Sequence, residues 1–182
     1  MKRIIILLLA VGGTALQAQT NAPAQPAPEP QIEITSTSGH FDGINHQMVY
    51  DGNVVVTDAK SKLTCARLTV DLPPEGGRPT NIVAVTNVVI DALDEKGQTN
   101  HITAAKAVYT YHATDTATNE IITFTGGDPT PKVDNPQFII YGEPLILNVP
   151  TRQFSGQNYR MIFKQVPNAG NGSNASPFNI LK

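Results

Sequence analysis

The sequence predicts an all-β protein, a curved pair of sheets built from repeated antiparallel strand units, and three observations carry that expectation. Val, Ile and Thr number 14, 16 and 19 among 182 residues, a large share of side chains branched at Cβ. Gly and Pro contribute 14 each and cut the chain into short runs. A strand-and-bend unit then recurs four times, each copy too small to bury its own apolar face, so the copies must stack.

The first eighteen residues read as a secretory signal peptide. Lys2 and Arg3 form a charged start, Ile4 to Val11 an apolar run, and Gly12 to Ala18 a small-residue stretch suited to cleavage after Ala18. The apolar run is too short to span a bilayer. No Cys lies near the cleavage point, which argues against a lipoprotein. Removing Lys2 and Arg3 leaves 11 basic against 15 acidic residues, a net charge of −4 on the mature chain. Residues 19–31 are a Pro/Ala-rich linker, poor in large apolar side chains. The folded domain is expected over 32–166. The Asn-, Gly- and Ser-rich stretch 167–182 is expected to be a flexible tail.

Within the domain, the first recurring element runs Ile34–Phe41, Leu63–Val70, Ile102–Tyr109 and Ile139–Ile146, with starts 29, 39 and 37 residues apart. The second is a bend followed by a β-branched run: Gly52-Asn53-Val54-Val55-Val56, Thr86-Asn87-Val88-Val89-Ile90, and the weaker Gly126-Gly127-Asp128-Pro129. Each is expected to be a strand entering from a turn. Period-two alternation puts Ala66, Leu68, Val70 and Leu72 on one face and Arg67, Thr69 and Asp71 on the other. The third copy repeats this, with Ala105, Ala107, Tyr109 and Tyr111 opposite Lys106, Val108 and Thr110. Arg67 and Lys106 are thus equivalent outward positions, and Phe41, Val70, Tyr109 and Ile146 equivalent inward ones. A helix over Ala59–Leu68 is disfavoured by the β-branched flanks. Pro144 predicts an edge strand, because a central strand needs the N–H it lacks. Tyr159–Lys164 reads as a closing strand.

Charge and motif content exclude several function classes. A net charge of −2, a pI near 6.0 and no block of Lys or Arg rule against nucleic acid as a partner. There is no nucleophile elbow, no paired Cys, no phosphate-cradling Gly loop and no zinc pattern, so no catalytic residue and no cofactor is expected. His40, His46, His101 and His112 are read as surface or turn residues, since no Asp or Cys completes a metal set with either pair. Asp42, Asp51, Asp91, Asp94, Asp115 and Asp128 sit beside Gly, Thr or Asn, where Asp bonds its own backbone at a bend. The lone Cys65 is read as a small buried hydrophobe. Asn-Gly-Ser at 171–173 and Asn-Ala-Ser at 174–176 match glycosylation acceptors by chance.

The units Tyr50–Val56, Leu63–Val70, Thr86–Ile90 and Ile102–Tyr109, repeated behind a signal peptide, resemble the organic-solvent-tolerance (OstA-like) family of periplasmic lipopolysaccharide-transport proteins. The resemblance covers about residues 32–164, with Thr86 standing where the family usually has Gly. It implies a twisted, open-ended β jelly roll whose interior receives the acyl chains of lipopolysaccharide. It also implies partners in the inner- and outer-membrane transport proteins and an end-to-end homo-oligomer. Exposing an acyl chain to water costs about 0.8 kcal/mol per CH2, so such a carrier needs a continuous apolar trough. Phe41, Val54, Val56, Leu68, Val70, Val88, Ile90, Tyr109 and Ile146 are its expected lining. Alternation is equally met by a filled sandwich core, and the alternative function is a secreted structural or interaction β-repeat protein without a lipid ligand.

Overall fold

The computed structural model describes residues 32–114 and 117–164; the expected leader, linker, tail and glycosylation acceptors, together with Asp115, lie outside them. The β-branched runs form twelve strands: β1 (Glu33–Thr35), β2 (Ser38–Asp42), β3 (Gln47–Thr57), β4 (Ser61–Asp71), β5 (Asn81–Leu93), β6 (Thr99–Ala113), β7 (Thr118–Thr125), β8 (Lys132–Asp134), β9 (Phe138–Tyr141), β10 (Leu145–Asn148), β11 (Gln153–Gly156) and β12 (Arg160–Phe163). All pairings are antiparallel.

The topology reduces to a meander of eight units, each bent once. Strands β3, β4, β5 and β6 are long enough to run through the bend unbroken. The other units are split at it into β1/β2, β7/β8, β9/β10 and β11/β12. One half of each unit joins a layer ordered β2, β3, β4, β5, β6, β7, β10, β11, and the other half joins β1, β3, β4, β5, β6, β8, β9, β12. The two layers share one apolar cluster, to which Leu68, Ala84, Ala107, Phe124 and Leu145 contribute from the first layer and Val54, Val88, Ile102, Val133 and Ile140 from the second. The architecture is therefore an eight-unit sheet folded along a crease so that its inner faces meet.

The crease is made by the motifs expected to start strands. Gly52 and Asn53 lie inside β3 with φ of 78° and 48°, and Thr86 and Asn87 inside β5 with φ of 66° and 53°. Between Asp51 and Val54, β3 carries one residue more than β4, and between Val85 and Val88, β5 carries one more than β6. These are β-bulges, which bend a strand and increase its twist. Gly-Asn and Thr-Asn supply left-handed backbone whether the chain reverses or only bends, so the motif alone does not distinguish a turn from a corner. The neighbouring strands decide it. At the outer end of the crease, Thr37 N–H donates to Gly52 O at 2.8 Å, and a Cβ on Gly52 would stand 2.8 Å from Thr37 Oγ1. At Gly126, with φ of 143°, a Cβ would overlap that of Ala105.

The bulges shift the expected alternation. Leu68 and Val70 are buried, and so is Cys65, but Ala66 is exposed. On β6 the buried residues either side of the crease are Ala104 and Ala107, with Ala105 at the corner. Pro144 does not mark an edge. It precedes β10, which pairs with both β7 and β11, at the place where the chain crosses from β9 in one layer to β10 in the other. A Pro fits there because the crossing residues bond across the crease: Glu143 N–H donates to Gln157 O at 2.8 Å and Gln157 N–H to Pro144 O at 3.2 Å. The strand expected at Tyr159–Lys164 forms β12, and Ala59–Leu68 is strand, not helix.

Turn chemistry is as expected for Asp42 and Asp94. Asp42 accepts from the N–H groups of Ile44 and Asn45, and Asp94 from those of Lys96 and Gln98. Asp51 and Asp91 instead lie within β3 and β5, where Asp51 pairs with Arg67 at 3.5 Å and Asp91 with His101 at 2.6 Å. Burial of Cys65 pushes its thiol up to about 11.

Candidate functional site

The inner face is organised as rows that run across strands, because directly paired residues in an antiparallel sheet share a face. One row in the first layer reads Phe41, Met48, Val70, Ile82, Tyr109, Ile122, Leu147, Phe154, an apolar residue from every unit. Its counterpart in the second layer reads Ile34, Val56, Leu63, Ile90, Ile102, Val133, Ile140, Met161. At a strand spacing of 4.7–4.9 Å, seven steps make each row about 34 Å long.

Burial is greatest beside the crease and reaches one row further in the second layer at Ile102, Val133 and Ile140. Val54, Leu68, Val88, Phe124 and Leu145 stand beside it with exposures of 0–2%. Met48, Tyr50, Val56, Ile82, Ile90, Ile122, Leu147 and Phe154 pack against that cluster but remain partly exposed. The crease half of the inner face is thus closed upon itself, while the rim half keeps apolar surface in reach of a ligand. An extended apolar strip of this kind can hold a long hydrocarbon and has no chemical preference along its length.

Of the nine expected lining residues, Val54, Leu68, Val70 and Val88 lie in the packed cluster, and Val56, Ile90 and Tyr109 on the partly exposed inner face. Phe41 has the inward register but sits on β2 and is 58% exposed. Ile146 is turned to the outer face, in a row with Thr123 and Ser155, and Leu147 holds the inward position of the fourth copy. The crossing at Gly142-Glu143-Pro144 accounts for the one-residue shift. Arg67 and Lys106 do occupy equivalent outward positions, both paired with Val85. Met48 and Ile122 needed the pairing itself, because apolar Val49 and Ile121 stand beside them and the local pattern does not choose a face.

Two polar features border the open side. Arg78, from the β4–β5 loop, lies over the rings of Tyr109 and Tyr111 and pairs with Glu120 at 2.5 Å. Glu120 is opposite Tyr111 in the ladder, so all three partners of Arg78 face inward. Burial and the nearby Glu120 carboxylate hold the Tyr109 hydroxyl above its ordinary range. Across the opening, Arg152 of the β10–β11 turn in the first layer meets Glu95 of the β5–β6 turn in the second at 2.8 Å. Nothing in the sequence near Glu120 or Arg78 signals either contact, since the partners are 42 residues apart. Among the described residues no group of three His, Cys, Asp or Glu side chains is gathered as a metal site.

Comparison with known proteins bears on this face. The sequence model of the family described as LptA/(LptD N-terminal domain) LPS transport protein matches residues 33–150. Among solved structures, the chain is similar to LptH, the LptA homologous periplasmic component of the conserved lipopolysaccharide transport device from Pseudomonas aeruginosa. The TM-score is 0.62 at 15% identity, covering 75% of this chain and 97% of that one. No curated protein matches.

Proposed function

Because the chain belongs to the LptA/LptD N-terminal-domain family of lipopolysaccharide-transport proteins, and so to transport proteins and not to enzymes, we propose that it works in the periplasm as a carrier. Its inner face takes the acyl chains of lipopolysaccharide. The observation that supports this reading is the pair of apolar rows, one from each layer, that cross all eight units and keep some exposure at every position but Val70, Ile102, Val133 and Ile140. The lining we assign is Phe41, Val56, Ile90 and Tyr109 along the rim, supported by Val70, Val54, Leu68 and Val88 in the packed cluster. The outermost units, β1/β2 and β11/β12, each leave one side unpaired among the described strands. We assign those edges to β-augmentation with transport proteins of the two membranes or with a second copy of the chain.

The test is to secrete the protein into a Gram-negative periplasm, purify it gently, extract it with organic solvent and look for lipid A by mass spectrometry. Stoichiometric lipid A is the expected result, and Tyr109→Asp is expected to abolish it while the protein still folds. Clean protein that also fails to take up added lipopolysaccharide would overturn the reading and leave a β-repeat domain without a lipid ligand.

A further inference from the structure

The described strands bring no cation to the inner face; two reach its border from loops, Arg78 and Arg152, and Arg152 is tied to Glu95 across the opening. Lys62, Arg67, Lys106, Lys132 and Arg160, the cations carried by the described strands, all have the outward register. Of the two loop cations, Arg78 is the one that lies over inward-facing rings, while Arg152 and its partner Glu95 stand out in solvent. The Arg78 guanidinium carbon lies 4.5 Å from the Tyr111 ring centroid and 5.9 Å from that of Tyr109. A hydrogen bond runs from Nη2 to Glu120 Oε1, and the Tyr109 hydroxyl lies within reach of the same guanidinium. The Glu120 side chain is 11% exposed, whereas that of Arg78 is 52% exposed. The carboxylate therefore lies within the wall and the guanidinium looks out over the rim. A guanidinium carries five donors in a planar fork, so most of this one remains available to a second partner.

We propose that Arg78 is the headgroup-binding residue of the trough, taking a phosphate of an amphiphile whose hydrocarbon lies on the apolar rows. The assignment rests on the acyl-chain reading above and adds a charge preference to it. An amphiphile lying with its chains toward the crease must leave its polar end at the rim, where Arg78 stands. Phosphate matches the guanidinium fork in two parallel hydrogen bonds. The two tyrosine rings hold the cation at the mouth through cation–π attraction. Glu120 keeps it there when no ligand is bound, and competes with the phosphate when one is.

The experiment compares two amphiphiles of the same chain length, a lysophosphatidic acid and the uncharged monoacylglycerol, each below its micelle concentration. Both displace an environment-sensitive acyl probe from the intact protein, and the readout is the ratio of their affinities. For the wild type the phosphate-bearing amphiphile is expected to bind about three- to tenfold more tightly. Arg78→Gln is expected to bring the ratio to about one, Arg78→Lys to restore part of it, and Glu120→Gln, which removes the competitor, to raise it. Arg78→Gln leaves Glu120 without its partner, so the double variant Arg78→Gln/Glu120→Gln serves if the single one does not fold, with the same expected loss of preference. Binding of both amphiphiles with a ratio that Arg78→Gln does not move overturns this assignment alone. Binding of neither overturns the acyl-chain reading and this assignment with it. Inorganic phosphate is the third arm: if it binds the wild type as tightly as the lysophosphatidic acid does, the site is for the free ion and the headgroup assignment fails.

Discussion

A residue's place relative to the crease decides what its side chain is worth. Phe124 is fully buried where the layers meet, so Phe124→Ala removes apolar contact and leaves a cavity that the opposing layer cannot fill. It should cost about 3–5 kcal/mol, read as a lowered urea midpoint. Thr86 shows the opposite sign. A β-branched residue at φ 66° is strained, and glycine adopts that backbone freely. Thr86→Gly should stabilise the fold by about 1 kcal/mol, measured by thermal melting, and a destabilised variant would show that the threonine side chain supplies more than the strain costs. Cys65 titrates at about 11 because burial opposes the thiolate, against an ordinary value of 9.0. Since the folded value lies above the unfolded one, its contribution is fully present below about pH 9 and is lost as pH rises through about 11. The thiol should resist iodoacetamide at pH 8 in the native protein and react completely in urea.

At the scale of elements, the bend in each unit is achieved in two ways. Long strands absorb it with a bulge, as at Gly52-Asn53 and Thr86-Asn87; the other units stop and restart. The β7-to-β8 crossing depends on Gly126, whose missing Cβ lets the chain pass against Ala105 and whose N–H donates to Glu143 Oε2 at 2.9 Å. Gly126→Ala would force both a clash and a left-handed backbone. It should destabilise by about 2–4 kcal/mol and shift both halves of the sheet together in hydrogen exchange, because the crossing ties one layer to the other. Loss confined to β8 and β9 would mean that the layers fold independently.

For the whole molecule, the gradient of burial separates folding from binding. Leu68 at the crease and Tyr109 at the rim share the inner face, but Leu68 is 2% exposed and Tyr109 is partly exposed. Leu68→Asp places a charge in the packed cluster and should abolish the cooperative melt. Tyr109→Asp should leave the melt recognisable while removing acyl-probe binding. Saturating ligand should raise the melting temperature of the wild type, since it binds the native state alone, and should leave that of Tyr109→Asp unchanged. Equal loss of the melt in both variants would mean that the rim is as closely packed as the crease.

Composition and local pattern determined the class of this protein and much of its inner face. The β-branched excess is a property of single residues, and the alternation in Leu68–Leu72 and Ala107–Tyr111 a property of near neighbours, so both were legible without a fold. The equivalence of Phe41, Val70 and Tyr109 followed from the same repeats, and the pairing puts all three in one row. The corners look like strand starts in the sequence because a bend's backbone chemistry is local while its meaning lies in which strands flank it. Ile146 takes the outer face, against the alternation, for the same reason: one extra residue at a crossing inverts every side chain beyond it. The gradient of burial from crease to rim, the Arg78–Glu120 pair and the Glu95–Arg152 contact across the opening belong to the tertiary structure alone. Each depends on bringing together segments that are distant in sequence, and no local pattern encodes that distance.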